Sequence, residues 1–67
     1  MERKKKYAGY LVGDRVVPKK NQINLGVGEI VYINGYIFVK FFLPNIGYPI
    51  KAFHPNQLFN LTKANLI

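Results

Sequence analysis

Few side chains in this sequence are of a type that does covalent or acid–base chemistry. His54 is the sole histidine, Thr62 is the sole threonine, and cysteine and serine are absent, so no Ser-His or Cys-His nucleophile pair can be assembled. Of the three acids, only Asp14 and Glu29 lie outside the N-terminal run. Catalysis by paired carboxylates needs two such groups to converge in a cleft with one held protonated. Both instead open short extended segments, where solvated or turn-capping roles are expected. One histidine without cysteine also falls short of the three or four ligands of a zinc site. The sequence therefore predicts no catalytic residues, no metal and no cofactor. Gly26 and Gly28 have the spacing of half a phosphate-binding loop, but they precede a strand rather than a helix, so no helix N-terminus is at hand to hold a phosphate.

What remains for function is binding chemistry, carried by aromatic rings and lysines. The aromatics are five Tyr and five Phe with no Trp, and ten Lys and Arg against three acids give a net charge of +7. An excess of that size points to an acidic partner, either nucleic acid or an acidic protein face. Arg3, Lys4, Lys5, Lys6 and Arg15 supply five of the ten cations, and residues 3–6 read as a solvated basic arm.

The elements that must position these residues are strands. No stretch of a dozen residues has apolar positions at helical spacing, whereas short β-branched and aromatic runs recur between turn signals. The first strand is Arg15-Val16-Val17-Pro18, stopped by a proline that lacks the N–H of a ladder. Residues 19–24 form a polar loop, and the second strand is Glu29-Ile30-Val31-Tyr32-Ile33. Asn34-Gly35 then predicts a two-residue type I′ hairpin turn into a third strand over residues 36–42. Pro44, Asn45 and Gly47 make the next turn, residues 48–53 a fourth strand with Pro49 at an edge or bulge, His54-Pro55-Asn56-Gln57 a 3₁₀ turn, and residues 58–61 a fifth strand.

Sixty-seven residues with 49% hydrophobic content suffice for one modest core and no second domain. Five short strands in that length are most economically closed into a small all-β barrel of SH3-like or Tudor-like type, with Gly26 and Gly28 at a corner. The expected organisation is a basic arm over residues 1–11, a barrel over 12–62 and a tail over 63–67. No apolar run is long enough to span a membrane, and the N-terminus lacks the apolar core of a signal peptide, so a cytoplasmic location, nucleoid-associated in a bacterium, is expected.

Alternation along the strands sorts the aromatics. With Ile37, Val39 and Phe41 inward, Tyr36, Phe38 and Lys40 point outward. On the second strand a strict alternation puts Ile30 and Tyr32 on one face and Val31 and Ile33 on the other. Tyr36, Phe38 and Tyr48, joined by Tyr32 or Ile33, then form an exposed patch beside Lys40 and Lys51, with Lys19 and Lys20 as further contacts. Such a patch stacks unpaired bases while lysines meet phosphates, or grips a protein. A cage for methylated lysine is a third use of such rings, but cages carry an acid near the cation, and acids are scarce here.

A string of these residues resembles a known family. Gly13-Asp14-Arg15-Val16, Leu25-Gly26-Val27-Gly28-Glu29-Ile30, Val39-Lys40-Phe41-Phe42, Asn45-Ile46-Gly47, Phe53 and Leu58-Phe59-Asn60-Leu61 are similar to the C-terminal Tudor-like domain of UvrD/PcrA-type helicases, over about two-thirds to three-quarters of the chain. The Leu-Gly-x-Gly step also resembles the N-terminal module of the RNA-polymerase-associated ATPase RapA. The resemblance implies a non-catalytic accessory domain of a helicase or ATPase that docks on RNA polymerase or other transcription and repair machinery. Tyr48-Pro49-Ile50 departs from it, because the family often carries lysines there. Direct, weakly specific DNA or RNA binding and a structural subunit of a larger assembly are the alternative expectations.

Overall fold

The computed structural model describes residues 6–7, 9–19 and 25–65. Lys20 and the basic residues 3–5 lie outside them. The described chain contains seven strands, which are β1 (Lys6–Tyr7), β2 (Tyr10–Leu11), β3 (Arg15–Pro18), β4 (Gly28–Ile33), β5 (Ile37–Phe41), β6 (Ile50–Phe53) and β7 (Leu58–Asn60). A 3₁₀ turn, Pro55–Gln57, precedes β7. β1 and β2 pair as a small hairpin, and the other five form an antiparallel sheet in the order β6-β5-β4-β3-β7. The ladder is open, with β6 and β7 as its edges. Among the described residues no helix is long and apolar enough to cross a membrane.

The core follows from alternation on one face of this sheet. Val16, Ile30, Ile33, Ile37, Val39, Phe41, Phe53 and Leu58 are buried together, with Leu25 and Leu43 packed at the margin. Phe41 and Phe53 meet edge-on with ring centroids 6.1 Å apart, an arrangement the ring quadrupoles favour. Gly28 opens β4 where strands crowd. A Cβ there would meet the Val39 side chain, the Lys40 carbonyl at 2.9 Å and the Phe41 ring at 2.9 Å.

Two sequence expectations about β4 are corrected. Ile30 pairs with Val39 but Tyr32 pairs with Phe38, so Val31 is an extra, bulged residue. The bulge resets the alternation, which is why Ile30 and Ile33 are both buried while Tyr32 faces outward. The hairpin turn also differs from type I′. Ile33 pairs with Ile37, leaving Asn34, Gly35 and Tyr36 as a three-residue connection in which only Gly35 has positive φ (72°), whereas type I′ requires positive φ at both central residues.

The folded unit begins before residue 12. Tyr10, which sequence patterning leaves in the basic arm, is 8% exposed and belongs to the core. Its hydroxyl lies 2.8 Å from the Pro55 carbonyl and 2.9 Å from the Leu58 carbonyl, so one proton is shared between two acceptors on the 3₁₀ turn and β7. Tyr10 thereby fastens the β1–β2 hairpin to the far end of the chain. Burial raises the pKa of its phenol. The folded state therefore holds the proton more tightly than the unfolded chain does. That contribution to stability is complete below the pKa of an unfolded tyrosine, about 10, and is lost as pH rises through the higher folded value. Tyr10→Phe is expected to cost about 1–2 kcal/mol at neutral pH and to flatten the alkaline limb of stability against pH. Urea titrations of both proteins between pH 7 and 11 check this, and an unchanged alkaline limb counts against it.

Candidate binding face

The side of the sheet turned away from the core carries the exposed rings, and the strand register explains why they gather there. Directly opposed residues in an antiparallel pair project to the same face. Arg15 opposes Glu29, Glu29 opposes Lys40, and Lys40 opposes Ile50, which sets a charged row ending in an isoleucine across β3, β4, β5 and β6. The neighbouring row is Tyr32, Phe38 and Ala52. Phe42 continues the outward series of Phe38 and Lys40 and is 56% exposed, in contrast to its buried neighbour Phe41.

The rings make two local groups on this face. Tyr32 and Phe38 lie 5.5 Å apart between centroids. Phe42 and Tyr48 meet edge-on at 5.2 Å, and together with Leu43, Pro44 and Gly47 they line a shallow hollow of about 330 Å³. The turn over residues 43–47 makes this hollow. Leu43 and Gly47 form an isolated bridge, with the Leu43 and Gly47 N–H groups donating to each other's carbonyls at 2.9 and 2.8 Å. Beyond the rings, Ile50 is exposed in the row beside Lys40, and Ile46 is exposed in the turn.

Lys40 sits between the two groups. Its Nζ is 5.7 Å from the Phe42 ring centroid and 5.8 Å from that of Tyr48, within cation–π range. The chain's own ammonium thus occupies the aromatic pair that a methylated lysine would need, and the acid on this face, Glu29, lies directly opposite that same lysine in the register. This arrangement counts against a cage.

The structure sorts the residues expected from sequence as follows. Phe38, Lys40 and Tyr48 come together on the outer face. Tyr36 is exposed but turns to the end of the hairpin, where it packs against His54 at 5.0 Å between centroids. Lys51 does not join the patch. It opposes Val39, whose side chain enters the core, so Lys51 leaves β6 on the other side of the sheet from Lys40. Lys19 follows β3 beside the 3₁₀ turn, its N–H donating to the Gln57 carbonyl at 2.9 Å, two strands away from β5. Lys20 lies outside the described residues.

Sequence reasoning missed Phe42, Arg15 and Ile50 as members of this face. For Phe42 the signal was present, since carrying the step of two onward from Phe38 and Lys40 arrives at it. Asp14, expected to cap a turn, accepts hydrogen bonds at Oδ2 from the Leu11 N–H at 3.1 Å and from Asn60 Nδ2 at 2.8 Å. It ties β2 to β7 and is otherwise occupied. His54 likewise has a structural setting, with its N–H donating to Gln57 Oε1 at 2.8 Å to close the 3₁₀ turn. Among the described residues no three His, Cys, Asp or Glu side chains cluster as metal ligands would.

Compared with protein-family models, with curated proteins and with solved structures, the chain matches none of them.

Proposed function

We propose that this chain is a non-catalytic interaction module of SH3-like or Tudor-like type, and that it docks through the outer face of β4, β5 and β6 on a protein of the transcription or repair machinery. The observation that carries the reading is the composition of that face. Tyr32, Phe38, Phe42, Tyr48 and Ile50 gather around Lys40, with Glu29 as the one acid in its row, an aromatic-rich make-up that suits a protein-docking centre. A strand order in which the last strand returns through a 3₁₀ turn to pair with β3 supports the SH3-like reading. RNA polymerase is the first partner to try, because of the resemblance to helicase-linked Tudor-like domains, and in that setting the chain acts as an accessory domain of a helicase or ATPase.

Direct binding of single-stranded DNA or RNA is the second reading, favoured by Lys40 and Arg15 beside stacking surfaces and by the net charge of +7. The displacement of Lys51 to the opposite side and of Lys19 to the end of β3 away from Arg15 leaves few cations to follow a phosphate backbone across this face, and so ranks it below protein docking.

The two readings separate in one binding experiment. The double variant Phe42→Ser, Tyr48→Ser is expected to weaken binding to purified RNA polymerase by about tenfold or more, since each ring is a candidate hot spot. Oligonucleotides are expected to bind weakly and to lose affinity steeply as salt rises. Undiminished polymerase binding by the double variant, or oligonucleotide affinity that withstands physiological salt and depends on these rings, defeats the protein-docking reading.

A further inference from the structure

The two edges of the sheet are finished differently. At β7, the Lys19 N–H donates to the Gln57 carbonyl and the Leu61 N–H to the Arg15 carbonyl. Bonded and non-bonded pairs alternate along an antiparallel ladder, so Leu58 and Asn60 turn their backbone groups away from β3. Both outward carbonyls are taken within the chain, Leu58 by the Tyr10 hydroxyl at 2.9 Å and Asn60 by the Ala64 N–H at 3.1 Å. This edge is closed to a further strand.

At β6 the same alternation gives the opposite result. The Phe41 N–H donates to the Pro49 carbonyl at 2.9 Å, so the bonded positions are 49, 51 and 53. The N–H and C=O groups of Ile50 and Ala52 point to the open edge, and among the described residues no turn or loop backbone bond ends on them. Ile50, Lys51 and Ala52 are all exposed.

We infer that this edge takes up an extended, acidic segment of a partner protein as an added strand, a refinement that rests on the docking role of the outer face. Charge selects the occupant. Lys51 projects from one side of β6 opposite Val39 and so faces no acid in the register, whereas Lys40 on the other side of the sheet is already opposed by Glu29, which leaves Lys51 as the cation at the edge. A second copy of this chain is a poor occupant, because pairing β6 with itself brings Lys51 of one +7 molecule against the same strand of another. An added strand places the residues opposite Ile50 and Ala52 on the outer face, continuous with the Phe42–Tyr48 hollow, and the residue opposite Lys51 on the far side. The segment recognised therefore alternates apolar, acidic, apolar. Main-chain bonds supply adhesion and these alternate side chains supply selectivity.

The probe is a seven-residue peptide of alternating valine and glutamate with blocked termini, titrated into the ¹⁵N-labelled full chain. Saturating peptide is expected to slow amide exchange at Ile50 and Ala52 by about tenfold or more and to leave Lys51 and Phe53, already bonded to β5, unchanged. Lys51→Glu is expected to weaken the peptide by roughly fivefold at low salt, and a peptide N-methylated along its bonding edge is expected not to bind. Shifts at Phe38, Phe42 and Tyr48 without protection at Ile50 and Ala52 overturn the edge proposal while leaving the outer-face reading intact. Protection of both amides without peptide, together with concentration-dependent sedimentation, overturns it in favour of a second copy, and absence of any shift at millimolar peptide overturns it outright.

Discussion

Phe41→Ala is expected to remove about 3–5 kcal/mol of stability, while Phe42→Ala, one residue along, changes it by less than about 1 kcal/mol. The two rings are chemically identical and adjacent, and only the face of β5 differs. Phe41 is fully buried against Phe53 and is the largest enclosed side chain of the core. Its truncation forfeits the transfer free energy of a whole ring and leaves a cavity that Gly28 and Val39, packed on the same site, are too small to fill. Phe42 is largely in solvent and touches Tyr48 and Lys40 at the surface. A domain of this length has about 3–10 kcal/mol in total, so Phe41→Ala is expected to be largely unfolded at 37 °C. Phe41→Leu, at about 1–1.5 kcal/mol, keeps the comparison measurable. Urea midpoints followed by circular dichroism read all three. Equal losses at positions 41 and 42 are incompatible with the strand register described above.

The second large effect is expected at Gly28. Alanine there drives a methyl group into the Lys40 carbonyl, the Phe41 ring and the Val39 side chain. A backbone carbonyl held in the β4–β5 ladder cannot move aside as a side-chain tip can. The expected loss is about 3 kcal/mol, at the upper end of overpacking effects, with a fall in melting temperature of about 10 °C or more for a chain of this size. Gly35→Ala is the matched control. Gly35 has positive φ but open space around its α-carbon, so the cost is the left-handed backbone alone, about 1–2 kcal/mol. A melting temperature for Gly28→Ala at or above that of Gly35→Ala shows that the close approach is not the constraint.

From β3 onward the sequence carried the strand pattern well, because the strands are short and set off by turns of Gly, Pro and Asn and because alternation runs unbroken from Ile37 through Phe42, whereas β1 and β2 fell in residues read as a basic arm. It carried β4 poorly. The Val31 bulge depends on how β4 meets β5 and leaves no mark in the residues themselves, since Ile30, Val31, Tyr32 and Ile33 fit either strand face. The placement of Lys51 was illegible for a related reason. Its face is set by how many residues the turn between β5 and β6 consumes, and an error of one residue moves a side chain to the other side of the sheet. Tyr10 was hidden by its basic neighbours. Only the meeting of its hydroxyl with carbonyls more than forty residues onward draws it into the core. The candidate face was therefore half legible: Phe38, Lys40 and Tyr48 follow from local period, whereas Arg15, Ile50 and the placement of Lys51 on the other side follow from cross-strand register.

These corrections change the character of the face more than its location. A patch flanked by Lys40 and Lys51 suits nucleic acid. With Lys51 beyond the sheet and Ile50 in the row beside Lys40, the same rings form a largely apolar surface whose one lysine is engaged by Phe42 and Tyr48, while Glu29 and Arg15 continue its row away from the rings. Burial of such a surface against a complementary protein face gains apolar area while covering few charges.

The measurement that bears most directly on this account is the perturbation map of the ¹⁵N-labelled domain, titrated in parallel with RNA polymerase and with a single-stranded oligonucleotide at physiological salt. Polymerase is expected to broaden the resonances of Tyr32, Phe38, Lys40, Phe42, Tyr48 and Ile50 selectively while the oligonucleotide leaves them unmoved. Selective oligonucleotide shifts at those residues, or polymerase-induced changes confined to residues on the other side of the sheet, would contradict it.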